Sequence, residues 1–441
     1  MISKFGVDKI SLLILRQAIP SSIGILAMSL NLIIDTIFVG RWVDLLAIGA
    51  LTTTLPIVFF ISSAGMGIGI GGSSIISRAL GNKDKYKVNK VFENQLFLTF
   101  CIAFLSLFIG VLFPTPLLKL FGAKEAIEVL AKEYFGIVIY GVPFFTFAMM
   151  GNPIIRALGK PKYAMAVIIF PVFINIILDI LFIKIGNLGM FGAGLATTCS
   201  FLVSGILVFY FFLSKKQQTT IYLKKISIVP SLIKEIMSLG SVTFVRQGTI
   251  SLLIIILNYN LLKYGSAISI SIYGIINRVM MFALFPVLGI TQGFLPVAGY
   301  NYGAKDLKRV KETIRISLIF GTGIALIIFI LIMFFNNTLI GIFTNNKCMI
   351  KVTSKALTTT FLATPLITIQ LIGSAYFQVI GETLKALLLA LLKQGFFLIP
   401  LIYILPKFYG INGIWVSFPI ADILSTIITL FVLKHEIKTN L

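Results

Sequence analysis

Twelve stretches of about twenty or more mostly apolar residues follow one another along this chain. They lie roughly at 13–39, 46–74, 92–113, 133–155, 163–186, 190–213, 238–262, 267–299, 315–335, 353–378, 386–405 and 411–433. An α-helix rises ~1.5 Å per residue, so about 20 apolar residues cross the hydrocarbon core of a bilayer. The runs are continuously apolar and do not alternate with period two, which points to helices and not to a barrel. Only 12% of the 441 residues are charged and 58% are hydrophobic, whereas soluble domains carry roughly 25% charged residues. A soluble enzyme and a disordered chain are both excluded, since apolar content this high buries itself. The first stretch is too long for the apolar region of a signal peptide and contains Asp35, so it is read as the first span.

The net charge of +22 comes from 37 Lys and Arg against 15 Asp and Glu. The basic residues are scattered among short loops, where they report topology and not nucleic-acid binding. With twelve spans, 25 fall on the side of both termini, Lys385 and Lys393 among them, and 10 on the other. Both termini are therefore expected in the cytoplasm. Cys101, Cys199 and Cys348 have neither zinc nor disulfide spacing; the first two lie in apolar runs and are expected to be inert packing residues. His435 stands alone in the C-terminal tail and receives no role.

The chain also contains itself twice. Gly81-Asn82-Lys83-Asp84 recurs as Gly303-Ala304-Lys305-Asp306, an offset of 222. Pro143 and Pro365, and Gly159 and Gly381, keep the same offset; Gly189-x-x-Gly192 and Gly410-x-x-Gly413 are 221 apart. Six spans return the chain to its starting side, so the halves share an orientation. The predicted fold is all-α and membrane-integral, with two six-helix lobes related by a pseudo-two-fold axis along the membrane normal. The lobes are expected at 1–213 and 238–441, with a basic cytoplasmic linker at 214–237 and a cleft between them that suits alternating access.

Ionisable residues inside spans are costly, so they mark cavities or partners. Asp35 sits near the outer end of span 1, and Asp179 lies deep in span 5. Asn175 precedes Asp179 by four residues and so shares its helix face. Thr197 and Thr198 fall within span 6. Together these groups can form an oxygen cluster in the first lobe, able to load a proton, since burial favours a carboxyl's neutral form, or to hold a hard cation such as Na+ at Asp35 and Asp179. The second half has leucines, Leu257 and Leu401, at the equivalent positions, so this site belongs to one lobe. The structural alternative is helix packing or capping. Glu382 and Asp422 are read as lying near span ends, solvated or paired with Lys385 or a backbone group.

Substrate contacts are sought where polar groups and adaptable Met and Phe side chains cluster: Met149 in span 4, Gln247 beside Arg246 in span 7, and Asn277, Arg278, Met281 and Phe282 in span 8. Snorkelling or ordinary helix packing explains each of them as well. Gly67-Ile-Gly69-Ile-Gly71-Gly72 formally satisfies G-x-G-x-x-G but lies inside an apolar span without strand–turn–helix context, so close helix packing is expected and no dinucleotide.

Gln17-Ala18-Ile19-Pro20 leads into Asn31-Leu-Ile-Ile-Asp35-Thr36-Ile-Phe-Val-Gly40-Arg41. Arg156-Ala-Leu-Gly159-Lys160-Pro161, Asn175-x-x-x-Asp179, Gly192-Ala-Gly194-Leu-Ala-Thr197 and Gln292-Gly293-x-x-Pro296-Val-Ala-Gly299-Tyr300-Asn301-Tyr302-Gly303-Ala304-Lys305 follow in order. This series resembles the MATE (multidrug and toxic compound extrusion) family over nearly the whole chain, and most of all its bacterial multidrug exporters with Arg-Gln in helix 7. The resemblance implies export of small lipophilic cations in exchange for H+ or Na+ by a monomer in the inner membrane, without a cofactor. It places Asp35, Asn175, Asp179 and Thr197 at the family's N-lobe cation site. Another branch carries an acid in helix 7 where Gln247 stands, a departure that moves the coupling onto the N-lobe acids. Two rival functions are weighed. A flippase for lipid-linked sugars or peptidoglycan precursors would need several arginines within the spans, and only Arg246 and Arg278 are found. A membrane-embedded enzyme would need catalytic His, Cys or clustered carboxylates at the bilayer surface.

Overall fold

The computed structural model describes residues 2–214, 227–344 and 346–441. Among these residues there is no strand, and twelve helices are long and apolar enough to cross a membrane. They are α1 (Ile10–Trp42), α2 (Leu46–Gly81), α3 (Lys85–Leu112), α4 (Glu125–Ala157), α5 (Pro161–Ile185), α6 (Gly189–Leu213), α7 (Pro230–Tyr264), α8 (Ile268–Gly303), α9 (Leu307–Gly341), α10 (Lys347–Ile380), α11 (Thr383–Tyr409) and α12 (Ile411–Thr439). All twelve expected spans are present. Most are longer than their apolar runs, because a helix goes on forming its own hydrogen bonds after leaving the hydrocarbon. Of the expected linker 214–237, residues 215–226, with Lys215, Lys216, Lys224 and Lys225, lie outside the described residues, and Pro230 onward is already α7.

The repeat is visible in backbone geometry. Lys83 and Lys305, 222 apart, both take left-handed conformations, with φ of 59° and 60°. Each is followed by an aspartate that caps the next helix. Asp84 accepts from Lys87 N at 2.9 Å and Asp306 from Arg309 N at 3.1 Å, satisfying N–H groups that a helix start leaves open. Gly189 and Gly410 share a φ of 55°, a region that glycine enters without a Cβ penalty.

Two compact units divide the chain, one of residues 1–2 and 23–244 and the other of 3–22 and 245–441. The breaks fall inside α1 and α7 and are again 222 apart. The leading part of each half's first helix is thus counted with the other half's unit, whereas the sequence boundaries at 213 and 238 leave those helices whole. In the first unit the glycine run of α2 is a packing surface. A Cβ on Gly69 would stand 2.6 Å from the Met150 carbonyl oxygen, one on Gly67 would stand 3.0 Å from that of Gly240, and one on Gly71 would clash with that of Ile236. Backbone meets backbone there, as small residues permit. In the second unit the N-terminal segment is tied down by Arg309, whose Nη2 donates to the carbonyls of Phe5 (3.0 Å) and Asp8 (2.7 Å).

Large apolar side chains stay outside: Phe100, Phe334 and Phe431 are 74%, 81% and 74% exposed, an arrangement suited to lipid and not to water. Cys101 is exposed on α3, so it does not take the packing role expected of it. Two charged residues also lie elsewhere than the sequence reading put them. Lys393, counted among loop charges, is in the middle of α11, and Asp422, read as near a span end, is in the middle of α12. They pair with each other at 2.7 Å. Glu382 does lie just ahead of α11, exposed, with Lys385 Nζ 3.8 Å away.

Candidate functional site

Asp35 and Asp179 lie seven and six residues before the ends of α1 and α5, about 10 Å along each helix. In the first unit the two carboxyl groups are neighbours within hydrogen-bonding reach of each other. Asp179 is 2% exposed and Asp35 half-buried. Asn31, one turn before Asp35, donates from Nδ2 to Asp35 Oδ2 at 3.3 Å. A carboxyl–carboxyl contact is a hydrogen bond only while a proton sits in it. Bare, the two charges repel, and a proton or cation between them removes the repulsion.

Neutral oxygens complete the surroundings. Asn175, 1% exposed on the same face as Asp179, has its side-chain nitrogen and oxygen both buried without a hydrogen-bond partner. Buried amides are normally satisfied, so an unpaired one beside two acids fits a group that arrives from outside. Thr197 of α6 meets the Tyr134 hydroxyl of α4 at 3.2 Å, and Tyr134 is buried within electrostatic range of both Asp35 and Asp179. Thr198 turns away and donates to the Ile137 carbonyl at 3.0 Å. The donor set is two carboxyls with amide, hydroxyl and phenol oxygens, all hard ligands suited to H+ or Na+ and not to a soft metal. Among the described residues no group of three or more His, Cys, Asp or Glu gathers.

Sequence reasoning named Asp35, Asn175, Asp179 and Thr197 and missed Tyr134. A tyrosine in an apolar span is cheap enough to pass as packing, and only its register with Thr197 marks it. The expected substrate residues are not gathered in one unit. Met149 belongs to the first, half-buried against its apolar core. Gln247 of α7 is exposed in the second. On α8, Arg278 and Met281 are exposed, with Asn277 and Phe282 half-buried beside them. Their spacing places these four on one helix face, and a guanidinium exposed within a membrane helix requires water or a partner, not lipid.

The MatE family profile matches residues 20–181 and 243–404, one copy in each half. The chain is 26% identical to the multidrug export protein MepA of Staphylococcus saprophyticus, covering 96% of this chain and 94% of that protein. It is 24% identical to MepA of Staphylococcus aureus, over 94% and 91% of the two. Among solved structures, the MATE multidrug transporter DinF-BH in complex with R6G shares 36% identity at a TM-score of 0.90, over 98% and 97% of the chains. An outward-facing multidrug resistance MATE family transporter shares 25% at 0.92, over 99% and 97%.

Proposed function

The chain belongs to the MatE family, and from that premise we propose that it exports small lipophilic cations in exchange for H+ or Na+ by alternating access. The observation that carries the coupling is the contact of Asp35 with Asp179 beside the unpaired Asn175 carboxamide. Two bare acids destabilise one another, and a coupling ion held by Asp35, Asp179, Asn175, Thr197 and Tyr134 relieves that strain. Loading also acts on the shape of α1. Pro20 deprives this helix of one hydrogen bond and so supplies a point at which it can bend. The part of α1 that bears Asp35 thus turns about a weakened point as the ion enters or leaves. Antiport needs only that ion and drug favour opposite states, and their coupling is then reciprocal.

In the second unit the drug is met by Gln247, Asn277, Arg278, Met281 and Phe282, whose thioether and ring adapt to varied lipophilic shapes. The protein works as a monomer in the inner membrane, with both termini in the cytoplasm. The relatives named for multidrug export, and the transporter captured with R6G, support the drug-exporting role.

The test is efflux of a fluorescent cation from proteoliposomes under imposed pH or sodium gradients. Wild type responds to one of them, and Asp35→Asn and Asp179→Asn lose that response. Gradient-driven export at wild-type rates in both variants overturns the mechanism.

A further inference from the structure

The second unit holds a charge pair that the mechanism above leaves unused. Lys393 Nζ stands 2.7 Å from Asp422 Oδ1; the lysine side chain is 16% exposed and the aspartate 4%. Gln370 of α10 donates from Nε2 to the Asp422 carbonyl (2.9 Å) and reaches Oδ1 at 3.3 Å and Thr426 Oγ1 at 2.9 Å. Thr426 in turn donates to the Asp422 carbonyl at 2.6 Å. Beside Lys393, Gln394 Oε1 is buried without a hydrogen-bond partner.

The helices involved are α10, α11 and α12. In the repeat these answer to α4, α5 and α6, which together with α1 build the Asp179 site of the first unit. In both units the middle helix of the trio carries a π-helical segment at the charged residue. One runs from Ile180 to Ile185, directly after Asp179, and the other from Leu392 to Leu398, containing Lys393. Such segments recur at functional sites. The sites differ in register and in contents: at an offset of 222 Lys393 and Asp422 stand opposite Pro171 and Ser200, and where the first site has two acids, one of them from α1, the second has one acid and a cation fastened to the chain.

A buried ion pair seldom adds stability over apolar residues of the same size, and charge within a membrane span is costly. Lysine is a point charge on a flexible four-carbon stem, and here it is the more exposed partner. A cation reaches Asp422 only when that stem swings aside, and the freed ammonium can snorkel toward water. We propose that Lys393 is a built-in stand-in for a cation at a second site centred on Asp422, displaced when the positive group of an organic cation binds there. This rests on the export of lipophilic cations proposed above and adds an internally contested site to it.

The test is equilibrium binding of ethidium to the full-length protein in nanodiscs with no gradient, followed by fluorescence anisotropy. Lys393→Met removes the competitor and tightens binding at least about fivefold, the lower end of ordinary coupling between sites. Asp422→Asn weakens binding, and the double variant matches Asp422→Asn. Lys393→Arg grips the carboxylate with a planar fork and weakens binding, which carries the test if Lys393→Met does not fold. Binding in Lys393→Met that is unchanged or weaker, a double variant restored to wild-type binding, or Lys393→Arg binding as tightly as wild type overturns the proposal in favour of a structural pair. Failure of the Asp35–Asp179 mechanism would be seen in gradient-driven efflux and not in this assay, so the two are separable.

Discussion

Replacing Asp179 with asparagine keeps the shape of the site and removes one of its two charges. At hydrogen-bonding range two bare carboxylates repel by about 4 kcal/mol at an effective dielectric constant near 20. The ion-free protein, at alkaline pH without sodium, is therefore expected to gain stability in Asp179→Asn, by on the order of 1–3 kcal/mol once relaxation and nearby water are allowed for. The same change removes one of the two carboxyls proposed to hold the coupling ion. Wild type should be stabilised by that ion by RT ln(1 + [L]/Kd), about 2.7 kcal/mol at a hundredfold excess over Kd, and the variant, left with a single buried carboxyl, should respond clearly less. On the proposed mechanism the ion binds the native state, so by linkage raising proton or sodium concentration stabilises wild type, and stabilises Asp179→Asn by less. Thermal melts of purified protein across pH and sodium series measure this directly, and proteoliposome efflux from the same preparations reports the matching loss of gradient-driven export. A variant whose melting midpoint still climbs with the coupling ion as wild type does would refute the shared-ion reading of Asp35 and Asp179.

Other substitutions probe the surroundings. Tyr134→Phe removes only the hydroxyl on Thr197 and should weaken ion-dependent stabilisation by about 1 kcal/mol while leaving the fold intact, as melts with and without the ion will tell. Asp306→Ala deletes the cap on Arg309 N and should lower unfolding stability by roughly 1 kcal/mol in denaturant titration, with Asp84→Ala matching it because the turns repeat. Gly71→Val drives a branched side chain against the Ile236 carbonyl; overpacking of this kind costs about 1–3 kcal/mol or more and should show as reduced folded yield in detergent.

How much of this was legible in advance differs from residue to residue. Asp35, Asn175 and Asp179 stand out in the sequence because charge or amide within an apolar span is costly and therefore rare. Tyr134 does not stand out, since a phenol is tolerated almost anywhere in a span. Lys393 lies within an apolar run yet its charge reads as a loop charge, and Asp422 reads as lying near a span end, whereas both are in mid-helix. Each gave a weak signal alone, and their pairing across two helices is what identifies them.

Twelve helices, their order and their duplication at an offset of 222 were determined by the amino-acid order alone. A bilayer offers no hydrogen bonds, so each apolar run of sufficient length must satisfy its own backbone as a helix, and local turn chemistry at Asp84 and Asp306 ends one and starts the next. Which side chains meet was decided only by tertiary structure. Helices apolar on every face carry little record of which side points inward, so the rotation that brings Asp35 to Asp179 across 144 positions, and Lys393 to Asp422, comes from how the helices pack.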